Sequence, residues 1–201
     1  MTDPTQYLFW ITSRAAGTTA MVTASASVGV GLAMAGRLLK TGGRDRRIIH
    51  EMLALTTMVA IAVHGLALLG DSYLHPSLLD VTVPFALSYK TLPSAIGIIS
   101  GWGLIFLGLS YYLRSRIGAS RWKMIHRFTL LAWLGGLVHT FTEGSDAGQL
   151  WFVALVALTA APTLVLLAMR VSRRRAKSAA ARTGARRPRV ERPRARQLDV
   201  V

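Results

Sequence analysis

Four histidines are the residues of this chain best placed to do chemistry. His50 and His64 stand 14 residues apart, and His126 and His139 stand 13 apart, each pair bracketing a run made almost wholly of apolar and small residues. On an ideal helix the first spacing is a rise of about 21 Å, with the two rings about 40° apart in projection, so one face carries an imidazole near each end. The second spacing rises about 20 Å but separates the rings by about 140°, so either a bend at Gly135-Gly136 or ligands offset around the axis is needed. Neutral imidazole binds iron, zinc and copper. A structural zinc ion wants four ligands around itself, and two histidines per level, with no carboxylate inside the spans near His64 or His139, do not supply them. Two imidazoles facing each other across a gap suit the axial positions of a haem iron. Ala62, Gly65, Gly135 and Gly136 are small enough to leave room for a flat ring beside His64 and His139.

An anionic group between the helices would find cations at both levels. Arg47 and Arg127, with Arg46 and Arg121, cluster near His50 and His126, and Arg14 lies near the other pair. The plain alternative for Arg14 is a side chain snorkelling to the membrane edge. A proton path is the rival use of the histidines, but it wants carboxylates within the spans, where Glu51 at one edge stands alone. Met52, Met58 and Met124 read as core residues.

The elements that must position these residues are membrane spans. Of the 201 residues, 52% are hydrophobic and 16% charged, and the mean hydropathy is +0.40, too apolar for an ordinary soluble domain. Apolar runs over residues 15–36, 50–69, 93–113, 121–142 and 149–169 predict an all-α integral membrane bundle of five transmembrane helices. Tyr7, Phe9 and Trp10 fit an interfacial belt, and Pro162 predicts a kink in the last span. The first run reads as a span and not as a cleavable leader. There is no cysteine, which excludes disulfides and thiolate chemistry.

Charge sets the orientation. Loops 37–47, turning at Gly42-Gly43, and 114–123 are basic. Loop 71–91, with Pro76, Pro84 and a surface His75, and the acidic turn 143–148 are poor in Lys and Arg. The positive-inside rule then places the N-terminus outside and the basic loops and tail in the cytoplasm. The second and fourth spans run parallel, so His50 and His126 share the inner level and His64 and His139 the outer one. Residues 7–170 form the membrane domain. Residues 171–201, mostly Arg, Ala, Ser and Pro, predict a disordered basic cytoplasmic tail lying against anionic membrane lipid. With no aromatics between its charges, the tail does not read as a nucleic-acid binder. The absence of Asn and the excess of Arg over Lys suggest GC-rich coding, hence a bacterial plasma membrane.

The paired spacings of 14 and 13, on helices separated by one other, resemble the ferric reductase-like transmembrane domain. That domain is shared by ferric reductases, NADPH oxidases and the haem subunit of a bacterial methionine sulfoxide reductase system. The Trp-x-x-x-Arg-x-x-Gly stretch from Trp10 to Gly17 is also similar to bacterial members. The resemblance implies two haem b groups, the inner on His50 and His126 and the outer on His64 and His139. It further implies electron transfer from a cytoplasmic reductant to an outer acceptor such as ferric iron, a quinone or an outer redox partner, as an oxidoreductase component. Leu68 stands where NADPH oxidases carry a further histidine, which argues against deliberate superoxide production. With no Gly-rich nucleotide fingerprint, the expected partner is a cytoplasmic flavin reductase or flavoprotein bringing FMN or FAD. A haem subunit of a repair system, or a haem-free anchor or small transporter, are the alternatives.

Overall fold

The computed structural model describes residues 7–39 and 43–185. Among these every regular element is a helix: α1 (Leu8–Ala35), α2 (Gly43–Leu68), α3 (Leu78–Thr82), α4 (Thr91–Leu109), α5 (Arg114–Ile117), α6 (Ala119–His126), α7 (Thr129–Glu143) and α8 (Leu150–Ala185). Four of them, α1, α2, α4 and α8, are long and apolar enough to cross a membrane by length and composition. The fourth of the five spans expected from the sequence is not one helix. It breaks between α6 and α7, and the 15 residues of α7 rise only about 22 Å, short of a hydrocarbon core of about 30 Å.

The break has a local cause. Leu130 N–H donates to the carbonyl of Arg127, and Leu131 N–H to that of Phe128, both one residue tighter than an α-helix. The Thr129 hydroxyl takes the His126 carbonyl at 2.6 Å, offering that group a partner outside the helical ladder. A 3₁₀ step turns the chain about 120° per residue instead of about 100°. Four or five such steps remove most of the 140° mismatch between His126 and His139. The expected bend at Gly135-Gly136 is therefore placed elsewhere. Gly135 serves close packing instead, since a Cβ there would overlap the Ser100 hydroxyl of α4.

The main compact unit covers Met1–Leu166 and is built from two hairpins. α1 packs closely along α2, and α4 along α7, with lesser contacts between α1 and α7 and between α2 and α4. Small buried residues on α1, including Ala20, Ala24, Ser25 and Ser27, let the first hairpin close. A buried node joins α1, α7 and α8. The Trp133 indole N–H donates to Ser25 Oγ at 3.1 Å, the Thr163 hydroxyl donates to the Ser25 carbonyl at 2.9 Å, and Met21, Ala24, Leu137, Phe152, Val156 and Ala160 fill the space around Trp133.

In loop 71–91 the Asp71 carboxylate accepts from Tyr73 and Leu74 N–H. Ser77 and Asp80 form a capping box on α3, whose hydrogen bonds hold the Asp80 carboxyl below its ordinary range. His75 is exposed with φ 42°, the turn residue expected of it.

The second unit begins at Leu167. Disorder was expected from residue 171, but α8 continues to Ala185. Ala, Arg and Lys are strong helix formers that need no core to hold a helix. Arg173, Arg174, Arg175 and Lys177 are exposed along it. The rest of the expected tail, 186–201, lies outside the described residues.

Candidate functional site

The two hairpins bring the histidines together in the pairs that their spacing predicts. His50 of α2 faces His126 of α6 with ring centres 6.3 Å apart and planes at 86°. His64 of α2 faces His139 of α7 at 6.4 Å and 72°. Metal–imidazole bonds are about 2.0–2.1 Å long, and a ring centre lies about 1.2 Å behind its nitrogen, so two rings ligating one ion from opposite sides have centres about 6.4 Å apart. Both pairs stand at that separation.

All four rings are tied through the same nitrogen. Each Nδ1 meets a main-chain carbonyl on the neighbouring helix of its own hairpin: His64 to Ser13 at 2.9 Å, His50 to Ser27 at 3.0 Å, His139 to Pro93 at 3.0 Å and His126 to Leu107 at 3.4 Å. A carbonyl only accepts, so Nδ1 carries the proton and Nε2 keeps its lone pair. Metal-ligating histidines are oriented this way, the second nitrogen being tied to an acceptor outside the coordination shell. Ser13 and Ser27 add a second contact, their hydroxyls donating to the main-chain carbonyls of His64 and His50.

Glycines make the close approach of three rings feasible. A Cβ at Gly17 would lie 3.0 Å from His64, and one at Gly31 would lie 3.2 Å from His50. At Gly97 it would overlap the His139 ring. Each glycine follows its carbonyl partner by four residues, one helical turn on: Ser13 and Gly17, Ser27 and Gly31, Pro93 and Gly97. These seats went unread in the sequence, although Ser-x-x-x-Gly recurs on α1 at the same interval of 14 that separates His50 from His64.

Among the described residues no group of three or more His, Asp or Glu side chains converges on one point. Each pair thus offers two ring nitrogens not tied to a carbonyl, enough for an ion whose remaining positions are filled by a planar group bringing its own four. At Gly65 and Gly136, beside the His64–His139 pair, a Cβ would stand in open space, meeting no packing neighbour within 4 Å. Gly135 does not line such a gap, being packed on Ser100, and Ala62 is exposed.

The arginines divide. Arg47, three residues before His50, and Arg127, directly after His126, are exposed at the level of the first pair. Arg14 is at the level of the second but is already engaged: both ends of its guanidinium reach the Asp146 carboxylate, and it lies over the Trp10 ring at 4.2 Å. Nearby, Lys90 donates to the Thr142 carbonyl at 3.0 Å, and Ser94 donates to Glu143 at 3.3 Å. Burial raises the Glu143 carboxyl above its ordinary value, with the Lys90 ammonium and the Ser94 hydroxyl pulling it partly back. At the other level the Tyr112 hydroxyl donates to Glu51 at 2.9 Å. Set against known proteins, the chain matches no family model, no curated protein and no solved structure.

Proposed function

We propose that this chain carries electrons across a membrane through two haem groups, one held between His50 and His126 and the other between His64 and His139. The observation that carries this reading is the double pairing itself. Two pairs of imidazoles stand with ring centres at ligating separation, and every Nδ1 meets a carbonyl. When bound, each haem supplies a one-electron iron couple. The chain's own residues do the rest. The carbonyls of Ser13, Ser27, Pro93 and Leu107 fix the ligand tautomer and ring direction. The apolar helices exclude water. On α2 the two levels are separated by about 21 Å of helix rise, most of a membrane's thickness.

α6 and α7 together act as the fifth span. Ala119 to Thr142 would cover roughly 36 Å as helix, enough to cross with its break included. The basic loops then face the cytoplasm, and the N-terminus lies outside, in a bacterial plasma membrane. Electrons enter at the His50–His126 level from a flavoprotein or a reduced flavin and leave at the His64–His139 level to ferric iron, a quinone or an outer redox protein. Arg47 and Arg127 are exposed cations available to haem carboxylates at the inner level. Arg14, paired with Asp146, serves mainly to tie α1 to the turn before α8.

Haem content of purified single and double variants tests this. His64→Ala and His139→Ala should each remove one of two haems, and the double variant should remove no more than either alone. His50→Ala and His126→Ala should do the same for the other haem, and His50→Ala with His64→Ala should remove both. Additive loss within a pair, or none, would refute the pairing.

A further inference from the structure

Three of the four rings share one seat: a carbonyl at 2.9–3.0 Å and a glycine one turn beyond it. His126 has neither feature in full. Its bond to the Leu107 carbonyl is 3.4 Å, and four residues after Leu107 comes Tyr111, in the turn that follows the end of α4 at Leu109. The same carbonyl is also claimed by the Ser110 hydroxyl, at 2.6 Å. His126 is moreover the last residue of an eight-residue helix that ends in the 3₁₀ break. Its backbone holds the ring less firmly than the backbones of the other three.

Trp122 takes up what is missing. It stands one turn before His126, and its ring lies against the imidazole at 4.9 Å, with only 24° between the planes. Its indole N–H donates to Ser110 Oγ at 3.2 Å. Ser110, Leu107, His126 and Trp122 therefore close a circuit: indole to hydroxyl, hydroxyl to carbonyl, imidazole to the same carbonyl, and ring on ring. Tyr111 packs edge-on against Trp122 at 5.8 Å, and the Arg114 guanidinium covers Tyr111 at 4.0 Å.

We infer that Trp122 is a positioning residue for His126, its stacked ring and its bond to Ser110 replacing the glycine seat that fixes the other three ligands. This rests on the haem reading above. It makes the His126 ligand the one whose hold depends on a stacked indole. Loss of Trp122 should free His126 from its iron and leave the other three bonds intact.

Carbon monoxide binding to the dithionite-reduced, purified full-length protein is the test, because a six-coordinate bis-histidine iron offers it no position. Wild-type protein should bind little. Trp122→Leu should convert about half of the haem, one site of two, to a high-spin, carbon monoxide-binding form. Trp122→Phe keeps a ring to stack but loses the bond to Ser110, so it should fall between wild type and Trp122→Leu. A Trp122→Leu protein that stays low-spin and closed to carbon monoxide overturns the inference, as does a Trp122→Phe protein as open as Trp122→Leu. If Trp122→Leu does not accumulate, wild type against Trp122→Phe decides alone, and equality of the two overturns it. Wild-type protein without haem would instead refute the haem reading, so the two failures are distinct.

Discussion

A methyl group added at Gly97 would overlap the His139 imidazole, whereas at Gly17 and Gly31 it would stop 3.0 and 3.2 Å from the facing ring. An exposed helical Gly→Ala change ordinarily stabilises by about 1 kcal/mol, so any loss at these sites reports the ring. Gly97→Ala should therefore abolish haem at the His64–His139 site, while Gly17→Ala and Gly31→Ala should weaken their sites only partly, as read by haem content after dilution into apomyoglobin. Equal effects at the three glycines would show that the seats do not discriminate as their geometry says. The pairing of the histidines was legible in the sequence because spacing and loop charge suffice to place two rings at each level. The seats were not, because every residue has a carbonyl, and a glycine on an apolar helix reads first as ordinary close packing.

The far ends of the first four expected spans were legible to within four residues, but α1 and α2 begin seven residues before the apolar runs at 15 and 50, and the fourth span was misread where hydrogen bonding decided. The 3₁₀ turn at Arg127–Phe128 leaves no mark in hydropathy, and the helix through residues 171–185 rests on propensity, not burial. At this scale Trp133 joins three helices. Trp133→Ala should cost about 3–5 kcal/mol, measured as a lower unfolding midpoint in detergent. A change under about 1 kcal/mol would show that the node does not hold α8 to α1. The end of α7 gives a pH dependence. Glu143 lies just beyond the expected span, and burial raises its folded pKa above the ordinary 4.5. Its contribution to stability is fully present below that ordinary value and is lost as pH rises through the raised one. Wild-type protein should therefore lose stability relative to Glu143→Gln as pH rises from about 4 toward neutrality. Parallel pH profiles for the two would contradict this.

For the whole molecule, the internal likeness of the two hairpins is what sets two sites at two levels. In each, two histidines, on the single helix α2 in one and on the successive helices α6 and α7 in the other, lie along a helix supplying two carbonyls 14 residues apart, Ser13 and Ser27 in one, Pro93 and Leu107 in the other. The proposed orientation rests on the basic loops. Alkaline phosphatase fused after Val201 should be inactive and a fluorescent protein there should glow; the reverse would turn electron flow around without altering the pairs. The measurement that tests the central claim most directly is a reduced-minus-oxidised spectrum of the wild-type protein, purified after expression with ample haem, with haem and protein both quantified. Sharp low-spin α and β bands at two haems per chain are the predicted result. A haem-supplied, folded protein with no Soret absorbance would contradict it.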